Sequence, residues 1–233
     1  MIQINNLTKS YNGITVVNIP ELFIIKGEAV GLVGNNGAGK TTLFRIMLDL
    51  IRTDTGEVLS KDENVAKSEK WKNHTSSFLD EGFLIEYLTP EEYFYFIGSL
   101  HGMGRAHIDS ELERYADFFS GEILNRDKYI RDLSKGNQCK VGVVASLLQK
   151  PEVLLLDEPF ANIDPSTQIR LKNIIKEITF DKQVTTIVSS HDLNHVTEVS
   201  DRILLMEKGA IIKDIKTNSN TLTELEEYFS VMK

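Results

Sequence analysis

The sequence contains a single cysteine, Cys139, among its 233 residues, so it has no second thiol with which to form an internal disulfide. This scarcity is typical of proteins from a reducing compartment such as the cytosol. No stretch approaches the roughly 20 consecutive apolar residues that a membrane-spanning helix requires, and polar residues interrupt the first 20 positions, where a signal peptide would lie. We therefore expect a protein that does not itself cross a membrane.

Basic residues are in the minority. The chain has 26 Lys and Arg against 34 Asp and Glu, a formal net charge of −8. This acidic balance argues against a general affinity for nucleic acid, and we expect no nucleic-acid partner. Low-complexity tracts and internal repeats are also missing, which argues against disorder. With 41% hydrophobic residues, the chain has enough apolar side chains for one large domain or two small lobes.

The first third of the chain is predicted to combine two strands with a strand–loop–helix unit. Alternating apolar and polar residues predict strands over residues 2–8 and 14–25, and Pro20 is expected to interrupt the second. Residues 28–34 are mostly apolar and predict a buried strand. A loop follows, and then a helix predicted over residues 40–51.

Later segments predict further helices and strands. A hairpin is expected near residues 56–58, and residues 90–119 carry apolar side chains at helical spacing, with Pro90 at the first helical position. Alternating strands and helices predict an α/β fold with a mainly parallel sheet, an N-terminal antiparallel piece and a separate helical lobe. The remaining predictions are a helix over 134–149, a strand over 152–157, a helix from Pro165 capped by Asp164, strands over 184–189, 202–207 and 210–215, and helices over 192–200 and 221–232.

Residues 34–42, GNNGAGKTT, match the Walker A pattern G-x-x-x-x-G-K-[ST]. Glycines let the backbone wrap around phosphates, and the amides at the following helix N-terminus face their negative charge. Lys40 is predicted to reach the β- and γ-phosphates and Thr41 to offer its hydroxyl to Mg²⁺. The alternative is a chance glycine-rich turn before a helix. The predicted nucleotide-binding residues are Gly34, Asn35, Asn36, Gly37, Ala38, Gly39, Lys40, Thr41 and Thr42.

Residues 153–159, VLLLDEP, match the Walker B pattern of an apolar strand that ends in two acidic residues. The carboxyl ends of parallel strands are where α/β sheets bind ligands, so Asp157 is predicted to hold Mg²⁺ there. Glu158 is predicted to be the general base that polarises the attacking water. A polar strand end at an ordinary turn is the alternative interpretation.

Residues 133–137, LSKGN, lead through one helix into that apolar strand. Together with the Walker A and Walker B segments, they resemble the ATP-binding cassette (ABC) family, and the resemblance covers nearly the whole chain. It implies a P-loop NTPase core, with ATP and Mg²⁺ as cofactors. It also implies an ATPase that works as a head-to-tail dimer with separate membrane-spanning transporter subunits.

The resemblance implies that the segment 133–137, called the signature segment below, serves a second subunit. Ser134 and Gly136 match positions where the family contacts the γ-phosphate held by the partner, although Ser134 also suits an ordinary helix cap. Lys135 and Asn137 depart from the commonest family pattern, LSGGQ. This variant is similar to that of exporters whose membrane subunits are encoded separately, so we expect an exporter.

His191 follows the apolar segment VTTIVSS and resembles the switch histidine of the family, which contacts the γ-phosphate and orders the catalytic water. Two alternatives remain open. His195 lies four residues on, at the spacing of a metal-binding pair, although no third ligand is evident nearby. His191 also fits an ordinary helix-capping position.

Three further residues match the family at positions that a plain structural role also explains. Asp164 ends a segment, residues 161–164, that resembles the D-loop at the dimer interface, and it also suits a helix cap. Tyr11 resembles the aromatic residue that stacks on adenine, and it also suits the exposed end of a strand. Glu81 stands where the family has the glutamine of the Q-loop, as a possible Mg²⁺ ligand, or else it is a solvated loop residue.

We therefore expect one ABC ATPase domain over residues 1–233, with its core at about 1–80 and 151–233 and its helical lobe at about 81–150. It is expected to be cytoplasmic and peripheral on the inner face of the cell membrane, as a homodimer or heterodimer of ATPase subunits. The chain end close to the core also favours export over sugar import. A soluble ABC ATPase acting on ribosomes or DNA and a cassette that binds ATP without turnover are the alternatives.

Overall fold

The computed structural model describes residues 1–180 and 183–231. Its strands form two sheets, and most of its helices lie either against the larger sheet or in a cluster in the middle of the chain. In chain order the elements are β1 (Ile2–Tyr11), β2 (Ile14–Ile24), β3 (Ala29–Val33), α1 (Lys40–Met47), β4 (Thr55–Ser60), β5 (Glu63–Asn64), β6 (Thr75–Phe78), α2 (Pro90–Leu100), α3 (Arg105–Glu113), α4 (Ala116–Phe119), α5 (Lys135–Leu148), β7 (Val153–Asp157), α6 (Pro165–Phe180), β8 (Thr185–Ser190), α7 (Leu193–Val199), β9 (Arg202–Glu207), β10 (Ala210–Lys216) and α8 (Thr221–Val231).

The larger sheet has six strands in the order β10-β9-β3-β8-β7-β6. All neighbouring pairs are parallel except β9 and β10, which form an antiparallel hairpin. The smaller sheet is antiparallel and has the order β2-β1-β4-β5. The predicted fold class, an α/β core with a mainly parallel sheet, an N-terminal antiparallel piece and a helical lobe, is confirmed.

The predicted break at Pro20 is wrong, because β2 continues through it from Ile14 to Ile24. The register continues on both sides of the proline, with Ile19 opposite Leu7 and Glu21 opposite Asn5. β2 is the edge strand of its sheet. An edge strand leaves alternate N–H groups outside the ladder, so a residue without an N–H is tolerated there.

The helix predicted over residues 40–51 ends earlier, at Met47. Asp49 adopts a left-handed backbone conformation with φ of 52°. Its N–H donates to Ile46 O at 3.0 Å, and the N–H of Leu50 donates to Arg45 O at 2.8 Å. These two bonds form a Schellman motif, which ends a helix even when the next residues are apolar.

The hairpin expected near residues 56–58 lies further along the chain. β4 and β5 are joined at Lys61 and Asp62, whose φ values of 51° and 66° are those of a two-residue type I′ turn. Gly56 instead lies inside β4, where the register with β1 shifts. A Cβ on Gly56 would lie 2.3 Å from Asn6 O, so the close approach of β1 explains the glycine.

The middle of the chain forms the helical lobe. α2 starts with a capping box in which Thr89 accepts from the Glu92 N–H, and Pro90 occupies the first turn. The largest buried side chains of this region include Phe94, Phe118 and Phe119. They pack in one hydrophobic cluster with α5, β7 and β8, so the lobe packs against the strand that carries the Walker B segment, β7.

Candidate nucleotide-binding site

The Walker A loop is held between two other strands. β3 is fully buried and leads into the loop at Gly34. A Cβ on Gly34 would lie 2.3 Å from Met206 O, and a Cβ on Gly39 would lie 2.4 Å from Val16 O. Gly39 also has φ of 108°, which disfavours any side chain. The loop therefore needs glycine at both ends because β2 and β9 approach it so closely.

The outer part of the loop faces solvent. Asn35, Asn36 and Gly37 are exposed, whereas Ala38 is buried and donates its N–H to Asn35 O at 3.0 Å. Thr42 is half-buried in the first turn of α1. The structure thus places all the predicted residues 34–42 on one strand–loop–helix unit, with the exposed backbone at the end of the sheet where β3 finishes.

Lys40 is the buried cation of the site. Only 6% of its surface is exposed, and Nζ donates to Gly34 O at 2.7 Å. Nζ also lies 3.3 Å from Oε1 of Glu158. A buried ammonium needs both a counter-charge and hydrogen-bond acceptors. Glu158 and the Gly34 carbonyl supply them, so the predicted phosphate-binding lysine and the predicted general base are in contact.

Asp157 is held by two hydroxyl groups. Thr41 Oγ1 donates to Asp157 Oδ2 at 2.5 Å, and the Ser189 hydroxyl donates to Oδ1. Burial raises the pKa of Asp157 above its ordinary value, and these hydrogen bonds oppose the rise. Asp157 and Ser189 face each other in register across β7 and β8. Thr41 and Asp157, which the sequence predicts as Mg²⁺ ligands, are therefore in contact.

Glu158 has a left-handed backbone with φ of 48°. Its N–H donates to Ser189 Oγ at 2.9 Å, and its Oε2 lies 2.8 Å from Nδ1 of His191. The His191 N–H also donates to Oε2, at 3.3 Å. Such a conformation is uncommon for a residue other than glycine, and it is typical of functional positions that the surrounding structure holds in place.

Ser189 is a contact residue that the sequence motifs did not indicate. It binds both acidic residues at the end of β7, through a hydroxyl that donates to Asp157 and accepts from Glu158. The available signal was its position two residues before His191, at the end of a strand predicted to be parallel to the Walker B strand. Register alone then puts its side chain beside the acidic pair.

The oxygen atoms at the end of β7 fit a magnesium ion. Mg²⁺ prefers hard oxygen ligands and usually takes one or two carboxylates, together with water and phosphate oxygens. The Thr41 hydroxyl and the Asp157 carboxylate are already in contact and supply such a set. Over the described residues, no group of three or more His, Cys, Asp or Glu side chains is arranged to hold a metal, and His191 and His195 instead face Glu158 and Asp192.

The signature segment lies at the start of α5. Ser134 caps this helix by accepting the N–H of Asn137 at 3.2 Å. A Cβ on Gly136 would lie 2.7 Å from Asn162 O, so the segment packs tightly against the predicted D-loop. Asp164 caps α6, where Thr167 donates its N–H at 3.1 Å. Hydrogen bonds from the Ser166 hydroxyl and from Thr167 hold the pKa of Asp164 well below its ordinary value.

Two predicted site residues lie apart from these contacts. Tyr11 ends β1, with 47% of its surface exposed, and Lys9 Nζ lies 5.2 Å from the centre of its ring. Glu81 starts a short 3₁₀ turn, Glu81–Phe83, after β6, and its side chain lies outside what the structure describes. Neither position is joined to Lys40 or Asp157 by the contacts described above.

Within residues 1–180 and 183–231, no helix is long and apolar enough to span a membrane.

Comparison with known proteins places this site in a family. The ABC transporter family model matches residues 17–161, more than half of the chain. The bacitracin transport ATP-binding protein BcrA of Enterococcus faecalis is 29% identical, over 92% of this chain and 69% of its own. The sulfate/thiosulfate import ATP-binding protein CysA of Thermosynechococcus vestitus is 30% identical, over 90% of this chain and 62% of its own.

A solved structure has the same fold. The dimeric ATP-binding cassette MJ0796, in a post-hydrolysis state bound to ADP and Pi, aligns with a TM-score of 0.82 at 22% identity, over 94% of this chain and all of its own. The family model covers the Walker A and Walker B segments and the signature segment in one continuous match. The chain therefore belongs to the ABC transporter family, and it is an ATP-binding, ATP-hydrolysing domain of that family.

Proposed function

We propose that this chain powers a transporter whose membrane-spanning subunits are separate chains, and that it works as a head-to-tail dimer of ATPase subunits. The observation that carries the proposal is the cluster at the ends of β3, β7 and β8. There, Glu158 contacts Lys40 and His191, and Asp157 contacts Thr41. The Ser189 hydroxyl joins the two groups by binding both acidic residues. Positioning and charge neutralisation are what phosphoryl transfer requires of a protein, and this set supplies both.

Each residue of the cluster has a defined role in hydrolysis. The loop amides and Lys40 bind the phosphates, and Thr41 and Asp157 would hold Mg²⁺, which neutralises charge on the phosphate oxygens when bound. Glu158 accepts a proton from water as the water oxygen attacks the γ-phosphorus and the bond to ADP breaks. His191 keeps the carboxylate of Glu158 oriented through the contact of 2.8 Å and is proposed to contact the γ-phosphate.

The signature segment is proposed to complete the site of a second subunit. α5 has 14 residues, and the N–H groups of its first turn are presented beside Ser134 and Gly136. In the described contacts, Ser134 and Gly136 engage α5 itself and Asn162 rather than Lys40 or Glu158. A phosphate held by a partner chain would supply the contact that the family resemblance implies for these two residues.

A groove between the core and the helical lobe is the proposed docking site for the membrane subunit. Its volume is about 450 Å³, and it is bounded by β6, the 3₁₀ turn Glu81–Phe83, α2 and α5. Phe83, which lines the groove, is more than half exposed. β6 lines the groove and is followed in the chain by the proposed Q-loop at Glu81. A segment docked in the groove would therefore lie close to a residue that is proposed to bind Mg²⁺.

The remaining parts of the proposal concern organisation and direction. We propose one ABC ATPase domain, with its core at about 1–80 and 151–233 and its lobe at about 81–150, bound to the inner face of the membrane through its partner. Export is favoured by the SKGN variant of the signature segment. Relatives named for bacitracin transport and for sulfate import match with similar identity, so uptake into inverted membrane vesicles is the measurement that decides the direction.

Mixed dimers test the shared site. Lys40→Ala removes the phosphate-binding ammonium, and Ser134→Arg blocks the signature segment. Each homodimer then has two defective sites, whereas a mixed dimer has one intact site, because both lesions fall in the other. Random mixing of two inactive mutants should recover up to about a quarter of wild-type ATPase activity if the sites act independently. High activity of the Ser134→Arg homodimer, or of a verified monomer, would contradict the shared site.

A further inference from the structure

His195 occupies a position that the proposed chemistry does not use. It lies on α7, one turn after His191, with only 13% of its side chain exposed. The centre of its ring is 4.7 Å from that of Phe160, and the two rings are tilted by 35°. Phe160 is itself buried and follows Glu158 by two residues. The imidazole therefore packs against the segment that carries the proposed general base.

The other edge of the His195 ring faces the start of its own helix. Asp192 caps α7 by accepting the N–H of Asn194 at 2.9 Å, and its Oδ2 lies 3.5 Å from His195 Nε2. Asp192 directly follows His191 in the chain. One partly buried ring thus contacts both Asp192, the cap of α7 that is next to His191 in the chain, and Phe160, the residue that follows the Walker B segment.

Of the two contacts of His195, the one with the Phe160 ring contributes more to holding the imidazole in place than the one with Asp192. Burial lowers the pKa of His195, as do the charges of Lys172 and His191, while Asp192 and Glu198 oppose them. A neutral imidazole gains little from a carboxylate at 3.5 Å. The Nδ1 atom is buried, and none of the described residues forms a hydrogen bond with it. Packing on Phe160 therefore fixes the ring.

The direct link between His191 and Glu158 needs such support. The His191 side chain is 60% exposed, and its ring is joined to Glu158 by the single contact of 2.8 Å. We propose that His195 is a positioning residue: its stack on Phe160 holds the start of α7 against the Walker B segment, and so keeps His191 within reach of Glu158 and of the γ-phosphate. This inference depends on the function proposed above for His191 and Glu158.

Two substitutions separate the ring contact from the histidine itself. His195→Ala removes the stack, and His195→Phe keeps an aromatic ring against Phe160. We expect His195→Ala to lower kcat by about ten- to a hundredfold, the effect of a small displacement of a catalytic group, with the Kd for a fluorescent ATP analogue unchanged. His195→Phe should recover most of kcat. His107→Ala, which changes an exposed histidine on α3, is the matched control and should leave both quantities unchanged.

Unchanged kcat in His195→Ala would overturn the inference, and so would failure of His195→Phe to recover it. Retained Kd shows that the variants are folded, since a general loss of structure would weaken binding as well.

A double-mutant cycle identifies the residue through which His195 acts. Rates of His191→Ala and of His191→Ala/His195→Ala are measured by single-turnover hydrolysis of radiolabelled ATP. If His195 acts by positioning His191, removing it should change nothing further once His191 is gone. The same fold-loss in both backgrounds would overturn the inference. Wild-type rates in His191→Ala alone would instead contradict the proposed function, so the two failures are distinguishable.

Discussion

Lys40 and Glu158 form an ion pair across the candidate site, with Nζ 3.3 Å from Oε1. The other carboxylate oxygen, Oε2, lies 2.8 Å from Nδ1 of His191. Glu158 is therefore shared between the lysine proposed to bind phosphate and the histidine proposed to contact it. A γ-phosphate that binds Lys40 competes with Glu158 for the same positive charge, and a carboxylate displaced in this way is free to accept a proton from water.

Replacing Glu158 by glutamine should separate binding from turnover. Glu158→Gln keeps the size of the side chain and removes its charge, so kcat should fall by about 10²- to 10⁴-fold, as for loss of a general base. ATP should bind at least as tightly, because Lys40 no longer has a competing carboxylate, and an ATP-bound dimer should accumulate. Steady-state ATPase rates, ATP titration and size-exclusion chromatography measure the three effects.

Glu152→Gln, at a surface pair with Lys61, is the control and should retain wild-type kcat. Normal turnover in Glu158→Gln would remove this residue from the mechanism.

Asp157 is expected to lower the stability of the metal-free protein. Burial raises its pKa in the folded state, so the folded protein holds this proton more tightly than the unfolded chain. Stability is therefore lost as pH rises from the unfolded pKa of about 3.9 through the higher folded value. Asp157→Asn should raise Tm at pH 7, and a rise of about 2–4 °C would correspond to about 1 kcal/mol in a protein of this size. Mg²⁺ with ATP should stabilise the wild type more than this variant.

Asp164 is expected to affect stability in the opposite direction from Asp157, and the same assay measures it. Its pKa is lowered by hydrogen bonds from Ser166 and Thr167, so its charged form stabilises the fold above the unfolded pKa. Asp164→Asn should therefore lower Tm at pH 7. A lower Tm for Asp157→Asn, or equal shifts of the same sign for both variants, would show that the charge of Asp157 is not what destabilises the protein.

Sequence patterns that reflect local chemistry singled out residues that the structure brings into contact, among them Lys40 with Glu158 and Thr41 with Asp157. The glycines and Lys40 of the Walker A segment and the acidic end of the Walker B strand are specific because few other residues meet their steric or charge requirements. Helix caps at Ser134 and Asp164 were readable for the same reason. The end of α1 could not be predicted in this way, because Asp and Leu also occur inside helices. The Schellman motif that ends α1 forms at Asp49 and Leu50 without a glycine.

Ser189 shows the limit of such patterns in the site itself. A serine is not a specific signal by its residue type, and its role depends on register with a strand more than thirty residues earlier in the chain. Only the parallel pairing of β7 and β8 puts its hydroxyl between Asp157 and the backbone of Glu158. The stack of His195 on Phe160 has the same long-range origin.

Ser189→Ala tests whether this hydroxyl orients the two acidic residues. The change removes a donor to Asp157 and an acceptor for the Glu158 N–H, at a backbone position that is uncommon for glutamate. We expect kcat to fall by about tenfold or more, because misplacing a catalytic group by a fraction of an ångström has effects of this order. A higher Mg²⁺ concentration should be needed for half-maximal activity, while nucleotide binding without Mg²⁺ stays unchanged. Ser99→Ala, at an exposed serine near the end of α2, is the control and should leave kcat and the Mg²⁺ dependence unchanged. Unchanged kcat and Mg²⁺ dependence would reduce Ser189 to a packing residue.

Tyr11 should contribute to ATP affinity through its ring and not through its hydroxyl. The ring is 47% exposed at the end of β1 and lies within 5.2 Å of the Lys9 ammonium. Tyr11→Phe should therefore bind ATP nearly as the wild type does, whereas Tyr11→Ala should bind more weakly by about 1–3 kcal/mol, the contribution of one stacked base. GTP should be affected similarly, because stacking does not distinguish bases strongly. Titration with fluorescent analogues measures both affinities. Tyr87→Ala, at an exposed tyrosine that precedes α2, should leave them unchanged. Equal affinities in Tyr11→Phe and Tyr11→Ala would mean that Tyr11 only ends its strand and does not contact the base.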